Sequence, residues 1–143
     1  MASVLAVGER FNQKGWTPCP DDDLSFKLRV NMGLYNFGRG RTFLNRMGVK
    51  WTHGINLLWP SPIAGEWDAA EARRVVDAIR KDVERYDVVL LFGRRVCDAF
   101  DVAFNVGERS GRYIPLPHPS GRNRMWNDPR VRETVRLIME TLR

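Results

Sequence analysis

The sequence is poor in residues that hold metals or form disulfide frameworks, since its 143 residues include two cysteines and two histidines. Cys19 and Cys97 are too few for a structural zinc site or an iron–sulfur cluster without other ligands. They could form one disulfide with each other, but we expect two free thiols in a reducing cytoplasm. The cysteine count therefore argues against zinc-finger and iron–sulfur classes.

Long apolar runs are also missing from the sequence. No stretch approaches the roughly 18 consecutive apolar residues of a membrane span. The short apolar run near the N-terminus follows no basic region, so neither a signal peptide nor membrane association is predicted. The patterns G-x-x-x-x-G-K-[ST] and G-x-G-x-x-G are absent too, which argues against a small-molecule enzyme acting on nucleotides. We expect one globular domain over residues 1–143.

Positive charge exceeds negative charge, with 23 lysines and arginines against 17 acidic residues and a formal net charge of +6. Nearly all of the positive charge is arginine, which suits bidentate binding of phosphate. A GC-rich genome would enrich arginine as well, so composition alone leaves both explanations open. The positions of the arginines along the chain have to decide between them.

Strand patterns alternate with helix patterns along the whole chain. The predicted strands cover residues 3–7, 51–58, 87–93 and 113–117, and the predicted helices cover 38–47, 69–86, 94–100 and a terminal segment from about 128. Gly48 is placed to end the first helix, and Asp68 to cap the second. This alternation predicts an α/β fold, a three-layer α/β/α sandwich with a central, mainly parallel, four-stranded sheet.

In parallel sheets of this kind, ligands bind beyond the carboxyl ends of the strands. Four segments lie there in this sequence, namely "GERFN" (8–12), "NLLWPSP" (56–62), "GRR" (93–95) and "HPSGRNR" (118–124). Three of the four segments contain arginine, so the basic residues are not spread at random. A site for a charged ligand is therefore expected at this edge.

The order of these motifs resembles the uracil-DNA glycosylase superfamily. The chain has "VGE" after the first strand, "INLLWPSP" after the second, "VVLLFGRR" in the third and "HPS" after the fourth. The nearest branch is the one whose first motif reads GEAPG, and the likeness runs from Val4 to the terminal helix. "HPSGRN" also resembles the NPSGLN motif of the mismatch-specific branch. The chain departs from the pattern in having "GERFN" without Pro-Gly, and it lacks the four cysteines of the iron–sulfur branch.

The resemblance implies a monofunctional DNA glycosylase that flips a base out of DNA and hydrolyses its N-glycosidic bond, without metal or cofactor. Uracil is the default base. Because Phe11 and Asn12 stand where the family excludes 5-substituted pyrimidines, a hydroxymethylated or glucosylated pyrimidine is an alternative, as in phage–host conflict. A catalytically weak module that recognises damaged or modified DNA is the other alternative. The expected partner is DNA, and the protein is expected to be a monomer in the cytoplasm of a bacterial or phage-infected cell.

Three residues are implied as catalytic. Glu9 would orient or deprotonate the attacking water and stabilise the cationic sugar, unless it is a solvated carboxylate or a partner of Arg10. Asn12 is a second candidate for holding the water, although asparagine in a turn is usually structural. His118 would hold the pyrimidine O2 as negative charge develops, unless its ring bonds a neighbouring carbonyl.

Base recognition is assigned to an amide and an aromatic ring. Asn56 ends a buried strand, where it would bond uracil N3–H and O4 in a bidentate manner or cap the following turn. Phe37 matches the phenylalanine on which the flipped base stacks, although a phenylalanine before a helix is usually core. Phe11 and Trp16 compete with it for this role.

DNA backbone binding is assigned to the two loops that follow the second and fourth strands. Ser120 and Gly121 offer backbone N–H groups to a phosphate, and Ser61 offers another. Arg122 lies where the family inserts a side chain into the gap left by the base, but we favour phosphate contacts for it. The full predicted set is Ser61, Ser120, Gly121, Arg122, Asn123 and Arg124, with Arg39, Arg41, Arg94 and Arg95 expected near the same rim.

Overall fold

The structure is a computed structural model that describes residues 2–10, 24–36, 38–59, 67–119 and 123–142, with the side chains of 32–36, 38 and 39 left undescribed. The strands are β1 (Val4–Arg10), β2 (His53–Leu58), β3 (Val88–Phe92) and β4 (Tyr113–Leu116). The helices are α1 (Phe26–Asn36), α2 (Gly38–Arg46), α3 (Ala69–Val83), α4 (Arg94–Ala99) and α5 (Pro129–Thr141), with a 3-10 helix at Arg124–Asn127.

The four strands form one sheet in the order β2-β1-β3-β4, and every neighbouring pair is parallel. β2, the next strand along the chain, pairs with one edge of β1, and β3 pairs with the other edge. Strand order therefore reverses between β1 and β3, which is where such sheets open a crevice at their carboxyl edge. Glu9 lies at this edge near the end of β1, and Gly93 directly follows β3.

Helices cover both faces of the sheet, which confirms the predicted three-layer α/β/α sandwich. One core cluster joins alternate strand residues such as Leu5 and Val7 to α3 and α4, with Val30 of α1 packed against it. The other cluster joins the remaining strand residues, such as Val4 and Ala6, to α2 and α5. This division follows from the two-residue period of a strand, which sends successive side chains to opposite faces.

Local sequence signals explain the elements that were predicted correctly. All five residues of β3 are buried, as a continuous apolar strand inside a parallel sheet requires. Asp68 caps α3 by accepting a hydrogen bond from the Glu71 backbone at 3.0 Å. Gly48 follows α2 with a φ of +80°, a conformation that glycine adopts without strain. The apolar stripe of α3 is buried and consists of Ala72, Val75, Val76, Ile79 and Val83.

Three features differ from the sequence-based expectation. β1 does not end before Gly8 but continues to Arg10, which pairs with Leu58, so Glu9 is held in a strand and not in a loop. Helix α1 was not predicted, because its apolar residues form no clear stripe along one side. The 3-10 helix that precedes α5 was also not predicted, since its single turn is too short to show a period.

Two further expectations concern membranes and thiols. None of the helices in the described ranges has the length and apolarity needed to cross a bilayer. Cys97 is a free, fully buried thiol, and this burial raises its pKa to about 12. A thiol with such a pKa stays protonated near neutral pH, so Cys97 is a core residue and not a nucleophile. Cys19 lies outside the described residues.

Candidate active site

The side chain of Glu9 lies between an arginine and a histidine at the carboxyl edge of the sheet. Its Oε1 is 3.6 Å from Arg95 Nη1, and its Oε2 is 3.6 Å from His118 Nε2. The distance to Arg95 suits an ion pair, and both distances exceed that of a hydrogen bond. The Glu9 side chain is 19% exposed, which leaves it reachable from the crevice.

Gly93 allows the carboxylate and the imidazole to approach each other. It directly follows β3 with a φ of +97° and a ψ of 162°, a combination that is essentially restricted to glycine. A Cβ placed on Gly93 would lie 3.3 Å from Glu9 Oε2 and 3.3 Å from His118 Cβ. Because Gly93 has no side chain, Glu9 and His118 can face each other across the space that a Cβ would occupy.

The backbone of His118 is fixed by two side chains that follow it in sequence. Asn123 Nδ2 donates to the His118 carbonyl oxygen at 3.1 Å, and Trp126 Nε1 donates to the same oxygen at 3.0 Å. Trp126 is buried against Phe43 of α2, so this bond ties the loop to the core. The His118 ring itself remains 43% exposed, with its Nε2 facing the Glu9 carboxylate.

Asn56 is buried in β2, two residues before the strand ends at Leu58, and lies beside β1. It pairs in register with Gly8, the residue before Glu9, and only 3% of it is exposed. Among the described residues its Nδ2 has no hydrogen-bond partner, which is costly for a buried amide unless a ligand provides an acceptor. Strand alternation places Asn56 and Glu9 on opposite faces, so a ligand that touches both lies across the carboxyl edge of the sheet.

A buried arginine holds the backbone around Asn56. Arg29 of α1 is fully buried, and its Nη1 donates to the carbonyl oxygens of Asn56 and Leu57, each at 2.8 Å. Its guanidinium lies 5.9 Å from the centre of the Trp59 ring. Because β2 is an edge strand, these bonds satisfy carbonyl groups at the end of the strand.

Arginines at the start of α4 form part of the same edge. Arg94 lies over Phe104 at 5.0 Å from the ring centre, and Arg95 lies over Trp67 at 5.7 Å. Both side chains are exposed, so their guanidinium groups are held by aromatic faces and remain open to solvent. They offer positive charge beside Glu9 and His118 to an anionic ligand.

No protein-family model, curated protein or solved structure matches this chain. The resemblance to the uracil-DNA glycosylase superfamily therefore rests on the four motifs themselves.

The structure brings some of the predicted site residues together and does not describe others. Glu9 and His118 converge, whereas Asn56 lies on the neighbouring strand β2 with its side chain on the face opposite to that of Glu9. The following predicted residues lie outside the described ranges: Phe11, Asn12, Trp16, Phe37, Ser61, Ser120, Gly121 and Arg122. The side chain of Arg39 is also not described, while Arg41 lines a groove with Lys50 and Thr52, ahead of β2.

The two remaining predicted DNA contacts lie in the 3-10 helix and at its start. Asn123 has intramolecular roles, since its Oδ1 accepts from the Met125 backbone at 3.1 Å while its Nδ2 bonds His118. Arg124 is exposed on the 3-10 helix, where a phosphate can reach it. Contact of either residue with DNA stays a prediction.

Sequence reasoning missed the structural roles of Gly93, Arg29 and Trp126. Gly93 carried a usable signal, because a glycine directly after a buried strand predicts a close approach of other groups. Arg29 and Trp126 carried none, since their hydrogen bonds join segments that only the fold brings together. Within the described ranges, no group of three or more His, Cys, Asp or Glu side chains is arranged to hold a metal.

Proposed function

We propose that this protein is a monofunctional DNA glycosylase that removes uracil or a modified pyrimidine from DNA. The observation that carries the proposal is the convergence of Glu9 and His118 over Gly93, at the point where the strand order reverses. A carboxylate and an imidazole in this arrangement suit the two charges of glycosidic bond cleavage, a cationic sugar and an anionic base.

In the proposed reaction, a water oxygen bonds to C1′ of the deoxyribose and loses a proton to the Glu9 carboxylate. The bond between C1′ and the pyrimidine N1 breaks, and its electron pair leaves with the base. His118 donates a hydrogen bond to the pyrimidine O2, where negative charge develops. Ionised Glu9 also stabilises the positive charge that spreads over the sugar ring. The anionic base takes up a proton from solvent, and Glu9 releases to solvent the proton it accepted, so that the products are the free base and an abasic site.

DNA as the partner is supported by the charge around the site. Arg94 and Arg95 begin α4 beside Glu9, and Arg124 follows His118 in sequence. Arginine side chains form bidentate hydrogen bonds with phosphate, and they raise the rate of encounter with a polyanion. The proposal takes the protein to act as a monomer in the cytoplasm of a bacterial or phage-infected cell, where its substrate DNA is present.

A panel of labelled oligonucleotides tests the proposal directly. Strands carrying uracil, thymine, hydroxymethyluracil, hydroxymethylcytosine or glucosylated hydroxymethylcytosine are incubated with the protein in the presence of a metal chelator. Alkali then breaks any abasic site. Scission at one base would support a metal-independent glycosylase and name its substrate. Tight, salt-sensitive binding without scission of any strand would instead favour a module that recognises damaged or modified bases.

Asn56 is expected to select the base. Its unpartnered Nδ2 fits the O4 of uracil, whereas aspartate at this position offers only acceptors when ionised. We expect Asn56→Asp to lower the preference for uracil over cytosine by about tenfold to a hundredfold, from the energy of one hydrogen bond to a charged group. The ratio of kcat/KM for the two bases in matched strands measures this change.

A matched control for this variant is Asn45→Asp, which makes the same change of charge at an exposed position of α2. It should leave the ratio unchanged. An equal loss on every base in Asn56→Asp would assign Asn56 a structural role only.

A further inference from the structure

A cavity lies at the amino edge of the sheet, opposite the edge that carries Glu9 and His118. Its volume is about 410 Å³, and it lies between the start of β1, the connection from α2 to β2 and the end of α5. Cavities that bind small molecules have volumes of about 300–1,000 Å³, so this one suits a small ligand. Its apolar lining consists of Ala2, Val4, Trp51, Met139 and Leu142.

The lining of this cavity offers little to a polar ligand. Thr52 is the hydroxyl residue that lines it, and its Oγ1 already accepts a hydrogen bond from the Val4 backbone at 2.9 Å. The Thr52 backbone N–H in turn donates to the Val4 carbonyl oxygen at 2.8 Å. A buried nucleobase or sugar needs several hydrogen-bond partners, whereas an alkyl chain needs none. The cavity therefore fits an alkyl chain better than a nucleotide.

A positively charged groove adjoins the cavity. Arg41 and Asn45 of α2 line this groove, whose volume is about 340 Å³, together with Lys50, Trp51 and Thr52. The last three residues line the cavity as well, so they form the border between the two spaces. A ligand whose chain fills the cavity can therefore reach the groove with a polar end.

The two cations of the groove are not neutralised by the protein. Arginines elsewhere on the surface have acidic neighbours, as Arg136 has in Glu133. Within the described ranges, Arg41 and Lys50 form no ion pair. Residues 24–59 contain six of the 23 lysines and arginines and none of the 17 acidic residues, so they account for the whole net charge of +6. The groove therefore attracts an anion.

We propose that the cavity and the groove together bind an ionised carboxylic acid with a single alkyl chain of medium length. The chain lies in the cavity, and the carboxylate lies between Arg41 and Lys50. A guanidinium binds a carboxylate through two parallel hydrogen bonds, and each methylene group that leaves water adds to the affinity. This site is separate from the proposed active site, and it does not depend on the glycosylase function.

The test is isothermal titration calorimetry of the whole protein with decanoate. We expect one decanoate to bind per chain, with an affinity that falls about fourfold for each methylene group removed in a series down to hexanoate. The uncharged decan-1-ol should bind about tenfold more weakly than decanoate, because it cannot pair with the two cations.

Variants locate the binding site. We expect the double variant Arg41→Gln/Lys50→Gln to lower the affinity for decanoate about tenfold and to leave that for decan-1-ol unchanged. Ala2→Phe and Met139→Trp each fill part of the cavity and should weaken the binding of both ligands. Lys81→Gln/Arg85→Gln is the matched control, since it removes two exposed cations at the end of α3, and it should change neither affinity. Thermal unfolding of each variant checks that the fold is intact.

Three results would overturn the site. The first is a lack of decanoate binding by the wild-type protein, and the second is an affinity that does not depend on chain length. The third is wild-type affinity in the folded charge variant or in both folded cavity variants, which would place the decanoate elsewhere. Base excision is not measured in this test, so a protein that excises no base would contradict the proposed function and leave this inference standing.

Discussion

Replacing Glu9 by glutamine is expected to lower the rate of base excision by about a thousandfold, within the range that general bases contribute. Glutamine keeps the size of the side chain but can neither accept the proton of water nor carry the negative charge opposite the cationic sugar. Both carboxylate oxygens of Glu9 lie 3.6 Å from a cationic or titratable group, Arg95 or His118, so the charge is central to the site. Single-turnover excision measures the rate, and fluorescence anisotropy with a labelled duplex measures DNA affinity.

Affinity for DNA is expected to stay the same or to increase slightly in Glu9→Gln, because the substitution removes a negative charge near the phosphates. Glu108→Gln is the matched control, since it removes one negative charge at an exposed position of a loop. It should affect affinity little and excision not at all. A Glu9→Gln protein that binds DNA and excises the base at the wild-type rate would remove Glu9 from the mechanism.

The three-layer arrangement could be predicted from the sequence because the clearest helix and strand show regular patterns of apolar residues. β3 is apolar at every position, and α3 carries a stripe of buried residues with a capping aspartate before it. Helix α1 escaped because its apolar residues form no stripe and because Arg29, a residue normally found at the surface, is fully buried there. Helix and burial propensities of arginine do not predict that its guanidinium will donate hydrogen bonds to the backbone carbonyl groups of a strand.

The site was partly predictable because the topology of a parallel sheet gathers the carboxyl ends of its strands at one edge. This rule selected the four segments in which Glu9, Asn56 and His118 lie, and the resemblance assigned their roles. The structure places Glu9 against His118. What holds them could not be predicted in the same way. The Trp126 indole bonds a carbonyl eight residues earlier in the chain, and this contact depends on a turn that local sequence does not specify.

The role of Glu9 also depends on how far β1 extends. The sequence "GERFN" predicts a loop after Gly8, but pairing of Arg10 with Leu58 keeps Glu9 within the strand. A strand backbone is more rigid than a loop, because hydrogen bonds to a neighbouring strand fix it. Although the chain has no Pro-Gly after Glu9, the carboxylate is therefore positioned by the sheet itself.

Gly93→Ala is expected to reduce excision by about tenfold, because a displacement of about 1 Å at a catalytic centre costs about a hundredfold and the contacts here require shifts of a few tenths of an ångström. The new methyl group would lie 3.3 Å from both Glu9 Oε2 and His118 Cβ, so at least one of the two side chains must shift. The backbone conformation adds strain of about 1–3 kcal/mol, which will lower the melting temperature. Single-turnover rates and thermal unfolding, measured on the same protein sample, report the two effects separately.

Gly48→Ala separates the strain from the contact. Gly48 also has a positive φ, +80°, but a Cβ there would meet no atom within 4 Å, and it lies after α2 beside residues that precede β2. This variant should lose stability and keep its excision rate. If Gly93→Ala also loses stability but keeps its excision rate, the space beside Gly93 has no part in catalysis. The close approach of Glu9 and His118 would then not be required for the reaction. A large loss of excision in Gly93→Ala alone would tie the activity to that space, because both glycines have a positive φ but only an added Cβ at Gly93 contacts the carboxylate and the imidazole.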